Sequence, residues 1–242
     1  MTEVLLVGDS HIGPIRRAFN ETPERYPWLT FARLGKGGIA RTDFFEVDEP
    51  ASAVRISAPE WNTVVFSRDG GRWPDLVVLS LPINSSRILR GFSWDTQVPW
   101  QLKQGDDEST LSDALVDGLI DQDSGYATAY AIALAELGLP VAVIEAPRFF
   151  EDAPYLNKCR FDVIHHIDTR YRQRVTERLA NNGVDVITQP VETIDVRGTT
   201  KMDFDNEREG DIHHANAAYG QIVLEQIRLY GATKLGVELG SE

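Results

Sequence analysis

Short apolar runs with no polar alternation constrain this chain more than any other feature. Val4-Leu5-Leu6-Val7 ends at Gly8, Leu76-Val77-Val78-Leu79-Ser80-Leu81 is set off by Pro74 and Pro82, and Val141-Ala142-Val143-Ile144 forms a third run. A strand without alternation has no face for water, so each reads as a strand buried on both sides, the pattern of parallel sheets. Thr30-Phe31-Ala32-Arg33-Leu34 and Val184-Asp185-Val186-Ile187 read as two more strands.

Helical patterns separate these runs. Ile12, Ile15, Arg16 and Phe19 give a partly apolar face, with Ser10 as the N-cap and Pro23 as the stop. Leu111, Leu115, Val116, Leu119 and Ile120 share a face after the N-cap Ser112, and residues 127–137 read as a separate second helix ended by Gly138. Ile167, Tyr171, Val175 and Leu179 recur at four-residue spacing before Gly183, and residues 217–230 carry Ile222, Val223, Ile227 and Leu229. Alternating strands and helices predict an α/β fold: a three-layer α/β/α sandwich on a central parallel sheet of about five strands. The 242 residues suffice for one such domain, 1–242, with insertions at about 51–72 and 85–110.

The first insertion holds Val54-Arg55-Ile56, Thr63-Val64-Val65-Phe66 and the turn signal Asp69-Gly70-Gly71, which predict a small β excursion. The second holds Trp94, Pro99 and Trp100 without a clear period and reads as a long loop, either a lid or substrate wall or a plain surface insertion.

Charge narrows the partners. With 24 Lys+Arg against 37 Asp+Glu the net charge is −13, a field that repels phosphate backbones and anionic headgroups, so neither nucleic acid nor a membrane is expected. Seven of the acids and no base fall between Asp106 and Asp123, which reads as a solvated helix face, and Arg170, Arg172, Arg174 and Arg178 read as partners of the acidic surface. Cys159, the single cysteine, can form neither an intramolecular disulfide nor a cysteine zinc site. The start MTEVLLVGDSH has no basic segment and too short an apolar stretch for a leader, which predicts a cytoplasmic address.

In open parallel sheets ligands bind beyond the carboxyl ends of the strands, so the residues that follow each strand carry the chemistry. The first strand is followed by Gly8-Asp9-Ser10-His11, the second by Gly37-Gly38, and the third by Pro82-Ile83-Asn84. A hydroxyl, backbone N–H groups near small residues and a carboxamide can therefore converge on one crevice. A serine hydroxyl needs a base to become a nucleophile, and Asp211-Ile212-His213-His214 precedes the last helix. Residues three apart lie on one side of a turn, so Asp211 can accept from Nδ1 of His214 and leave Nε2 for Ser10. The choice of His214 over His213 rests on that spacing, with His213 read as a bystander beside the base and an exchange of roles between the two as the alternative. Taken singly, Ser10 is also a turn and cap residue, Gly37-Gly38 a loop, Asn84 a turn residue, and Asp211 and Asn216 helix-initiation residues.

These four stretches, in this order, resemble the blocks of the SGNH (GDSL-like) hydrolases. Gly8-Asp9-Ser10-His11 resembles the first block, with histidine where leucine is usual. Leu34-Gly35-Lys36-Gly37-Gly38-Ile39-Ala40-Arg41 resembles the second, and Leu79-Ser80-Leu81-Pro82-Ile83-Asn84-Ser85 the third, with Pro82 for glycine and Ser85 for aspartate. Asp211-Ile212-His213-His214-Ala215-Asn216 resembles the last. The resemblance implies a serine esterase with Ser10 as nucleophile, His214 as base, Asp211 as its partner, and an oxyanion hole from the Ser10 and Gly38 amides and the Asn84 carboxamide. It implies hydrolysis of a short acyl ester of a carbohydrate or small molecule through an acyl-enzyme, with no cofactor and no metal. Transfer of the acyl group to a sugar hydroxyl, and a silent binding module on the same scaffold, are the alternatives. Adjacent histidines on a helix point about 100° apart, which argues against a metal held by His165-His166 or His213-His214. The oligomeric state is left open.

Overall fold

The computed structural model describes residues 2–48, 52–206, 208 and 210–240. β1 (Val4–Gly8) leads through α1 (Ile12–Glu21) to β2 (Leu29–Arg33). β3 (Phe45–Val47), β4 (Ala53–Ile56) and β5 (Val65–Ser67) then pair antiparallel as a separate small sheet. β6 (Leu76–Ser80) returns to the main sheet, followed by α2 (Ser86–Gly91), β7 (Gln97–Pro99) and β8 (Ser109–Leu111). α3 (Asp113–Glu136), β9 (Val141–Ile144), α4 (Phe161–Ala180), β10 (Asp185–Ile187) and α5 (Ala217–Leu235) complete the chain.

The main sheet is all parallel in the order β10-β9-β6-β1-β2. Its apolar runs lack alternation because both faces are covered. Leu5, Val7, Val77, Leu79, Val141 and Val143 face the side of α3 and α4, while Val4, Leu6, Leu76, Val78, Ala142 and Ile144 face α1 and α5. From β1 the chain first moves outward to β2 and later returns to β6 on the other side of β1. The switch point therefore lies between β1 and β6, where open sheets of this kind bind ligands. Ser10 follows β1 and Asn84 follows β6.

Three expectations need correction. The two helices expected over residues 111–137 are one continuous α3, because the polar stretch between them is satisfied inside the fold: Asp123 pairs with Arg41 and Arg87, and the Ser124 and Thr128 hydroxyls donate to carbonyls one turn back. Gly138, at φ 98°, then ends it. The acidic run is not simply a solvated face, since Arg170 pairs with Asp113 and Asp117, and Arg174 with Asp117 and Asp121, in a seam between α3 and α4. Residues 85–110 are not an aperiodic loop; Trp94 is fully buried and donates from Nε1 to the Ile88 carbonyl at 2.8 Å, whereas Trp100 is exposed. The β excursion is present and begins earlier than expected, at Phe45. Among the described residues no helix is long and apolar enough to cross a membrane.

Candidate active site

The turn after β1 is built around Asp9. A side chain at Gly8 would press on Ile12 at 2.5 Å and Ser80 at 3.0 Å, so only glycine lets β1 turn here into α1. The buried Asp9 carboxylate then accepts from the His11 backbone N–H and faces His11 Nδ1, both at 2.9 Å. Burial works against its charge, yet the His11 ring and these bonds outweigh it and hold the carboxyl below its usual pKa. Ser10 does not cap α1, as its position suggested. Its Oγ instead lies 2.9 Å from His214 Nε2.

His214 is presented from the segment just before α5. Asn216 caps that helix by accepting from the Tyr219 N–H at 3.1 Å, and Arg17 of α1 donates to the Ala215 carbonyl at 2.9 Å, which ties the segment to the Ser10 side of the fold. His214 Nδ1 lies 2.8 Å and 3.0 Å from the two Asp211 oxygens, and Asn206 donates to Asp211 at 3.2 Å. With Nδ1–H donated to Asp211, Nε2 is left to accept from Ser10. Burial, with the His11 ring, lowers the His214 pKa below the ordinary imidazole value, and the Asp211 carboxylate only partly offsets this. At neutral pH the ring is therefore an unprotonated base. Asp211 itself is held low, its bonds to His214 outweighing its burial.

The glycine-rich turn is fixed from two sides. Trp61, brought by the β excursion, donates to the Lys36 carbonyl at 3.0 Å, and Arg87 of α2 donates to the Gly37 carbonyl at 2.7 Å. Gly37 packs onto Asp9, while Gly38 borders open space. Gly38 is the second residue of a single helical turn, Gly37–Arg41, so its N–H has no partner inside that turn.

Asn84 is buried, and its Nδ2 lies 3.1 Å from His11 Nε2. Its turn is anchored where the resemblance departs from pattern. The Pro82 carbonyl accepts from Tyr171 at 3.2 Å, the Ile83 carbonyl from the Ala146 N–H at 3.0 Å, and the Ser85 hydroxyl donates to Asp168 at 2.5 Å.

Thus the structure brings Ser10, His214 and Asp211 into one hydrogen-bonded line, with Asn84 reached through His11 and Gly38 in the turn packed on Asp9. Sequence reading missed the part played by His11, although Asp9-x-His11 is a second acid–histidine pair beside the serine. It also treated His213 as a bystander. The His213 ring centroid is 4.0 Å from that of His214, its buried Nδ1 makes no hydrogen bond and lies 3.7 Å from Asp211, and burial first, then the neighbouring His214 and His11 rings, push its pKa down to about 3. Adjacent histidines do converge here, because residues 211–216 are not helical: His11, His213 and His214 each offer a ring nitrogen within 4.8 Å of the others. That group is where a metal ion would lodge among the described residues, but His214 is engaged at both nitrogens and His11 Nδ1 by Asp9.

No family model matches the chain, and none of the curated proteins does. Solved structures do. An acetylxylan esterase from Geobacillus stearothermophilus, in a serine-to-alanine catalytic mutant, aligns over 100% of this chain and 97% of its own at 11% identity and a TM-score of 0.50. A histidine-to-alanine catalytic mutant of the same esterase aligns over 99% and 96% at 12% identity and 0.50. A GDSL-like lipase from Bacteroides thetaiotaomicron aligns over 96% and 88% at 11% identity and 0.49. The chain has the α/β/α fold of the SGNH hydrolases, which its four sequence blocks resemble.

Proposed function

We propose that this protein is a serine esterase that cleaves a carboxylic ester, with a short acyl group on a carbohydrate or small molecule as the substrate class, through an acyl-enzyme. The observation that carries this reading is the 2.9 Å approach of Ser10 Oγ to His214 Nε2, with Asp211 2.8 Å from the opposite ring nitrogen. Ser10 attacks the ester carbonyl while His214 takes its proton, and Asp211 holds the ring in the required tautomer and stabilises the imidazolium. The amides of Ser10 and Gly38 and the Asn84 carboxamide receive the oxyanion. Asn84 has two N–H groups and directs one at His11, which leaves the other for substrate. His214 then returns the proton to the departing alcohol and activates the water that releases the acid.

A fluorophosphonate probe tests this, because it reacts only with an activated serine. Labelling of Ser10 that is absent in Ser10→Ala and weak in His214→Ala is the expected result, with turnover of short-chain aryl esters showing the same dependence. Absent labelling of the native protein overturns the reading, and would leave a silent binding module on this scaffold.

A further inference from the structure

The chain carries a net charge of −13, yet arginines gather beside Ser10. A cavity of about 310 Å³ opens beside Ser10 and His214, and Arg16, Arg17, Arg33 and Arg208 stand on its wall together with Asn20. Among the described residues Arg16, Arg17 and Arg33 approach no carboxylate within ion-pair distance, whereas Arg148, Arg160, Arg170, Arg172 and Arg174 all do. The carboxylate on the same wall, Asp211, is turned to His214 and Asn206. Arg17 is oriented by its bond to the Ala215 carbonyl, next in sequence to His214. Three cations that pair with no carboxylate among the described residues, set on one concave wall, favour an anion in the cleft of a chain whose net charge is negative.

The position of this wall says which part of a substrate meets it. In the proposed reaction the acyl–oxygen bond breaks, a bond from Ser10 Oγ to the acyl carbon forms, and the serine proton passes through His214 to the departing oxygen. The alcohol therefore leaves on the imidazole side. The cavity is lined by His214 and Asp211, and Gly38 and Asn84 are not on its wall.

We propose that the alcohol portion of the natural ester carries an anionic group, a carboxylate or a phosphate, held by Arg16, Arg17 and Arg33. This rests on the esterase reading above. The guanidinium fork suits either anion and supplies charge-assisted hydrogen bonds to it.

Rates on three acetyl esters that differ at one remote position test the proposal: 4-acetoxybenzoate, 4-acetoxyphenyl phosphate and the neutral methyl 4-acetoxybenzoate. At low salt an anionic ester should show a kcat/KM about tenfold above the neutral one, what one charge-assisted hydrogen bond supplies, and the advantage should lie in KM. It should shrink as salt is added. Which anion gains more separates carboxylate from phosphate. In the double variant Arg16→Gln/Arg33→Gln the ratio should approach one; both side chains are exposed, and a ratio within one variant does not depend on how much of it is folded. Arg17 is spared because it also holds the His214 segment. A native ratio of one or less, or a ratio unchanged in the double variant, overturns the proposal. If no ester turns over and Ser10 is unlabelled, the esterase reading fails on its own, and calorimetric titration with 4-hydroxybenzoate and inorganic phosphate decides the subsite. Binding that the double variant loses supports it, and no binding by the native protein ends it.

Discussion

The Ser85 hydroxyl donates to the buried carboxylate of Asp168 at 2.5 Å, joining the turn that carries Asn84 to the middle of α4. Asp168 also takes Arg172 at 3.1 Å and Arg148 at 2.7 Å, and Arg172 reaches on to the Ala146 carbonyl at 3.0 Å. The third sequence block has serine where aspartate is usual, and α4 places a carboxylate beside it from outside the block. Removing Asp168 takes the nearest counter-charge from the buried Arg172, leaving it Glu145 at 3.5 Å and the Ala146 carbonyl, and leaves Ser85 without its acceptor. Asp168→Ala should cost about 3–5 kcal/mol, read from urea denaturation. Ser85→Ala should cost about 1–3 kcal/mol and also lower kcat by loosening Asn84. Wild-type stability in Asp168→Ala would show that this network does not hold the turn.

Gly220 sets the distance between the two halves of the site. A side chain there would meet the backbone of Pro14, within 2.4 Å of its carbonyl carbon, and Ile15 N at 2.8 Å, so α5 lies directly against α1. Ser10 lies just before α1 and His214 just before α5, and a displacement of one helix from the other moves the hydroxyl away from the imidazole. Gly220→Ala should cost about 1–3 kcal/mol of stability, the usual toll of overpacking, and reduce kcat more than KM. Unchanged kcat in a variant of lowered Tm would separate the packing from the chemistry.

The centre of the sheet was readable in the chain because burial on both faces writes itself as unbroken apolar runs in β1, β6 and β9, and all five expected strands are found within a residue or so of their positions. The single long α3 was hidden because its middle is polar, and only the fold reveals that Asp123 meets Arg41 and Arg87 there. The spacing of Asp211 and His214 could be read locally, as could the serine after β1. What could not be read was distance between remote segments. His11 looked like a variant in a motif, and nothing in its neighbourhood announces that it contacts Asn84, 73 positions away. The arginine wall was equally hidden, since Arg16 and Arg33 belong to different elements and join only where α1 and β2 meet the last segment.

His213 should weaken the fold in acid. Its pKa is pushed from 6.5 to about 3 by burial first and by His214 and His11 next, so between these values the unfolded chain holds the proton and the folded one does not. Stability contributed by the unprotonated ring is intact above pH 6.5 and is lost as the pH falls toward 3. His213→Gln removes this ring and should show a shallower loss of stability with falling pH over that window, measured by denaturant midpoints at several pH values. Parallel curves for the two proteins would mean that the ring is protonated in the folded state.

Removing the Asn84 carboxamide should act chiefly on the transition state of the proposed reaction. Asn84→Ala takes away one donor of the proposed oxyanion hole and should lower kcat by about 10²–10³ with a small change in KM. Because His11 loses its partner in the same variant, the pH profile distinguishes the causes: a rate loss with an unmoved acidic limb assigns the effect to the oxyanion. A loss confined to low pH would instead assign it to the histidines.

The acidic limb itself follows from the state of His214. In the proposed reaction His214 acts only when unprotonated, and desolvation, aided by the His11 ring, holds its pKa below 6.5. Therefore kcat/KM should stay on its plateau at pH values where a free imidazole is already protonated, then fall tenfold per unit on the acid side. Asp211→Asn removes the carboxylate that opposes this lowering, so the limb should move to still lower pH. The plateau should at the same time drop by about 10⁴, because the imidazolium formed during attack has lost its counter-charge and the ring its tautomer. A limb above 6.5 in the native protein would place His214 in a more solvated setting than the one its neighbours define, and a limb unmoved in Asp211→Asn would detach that carboxylate from His214.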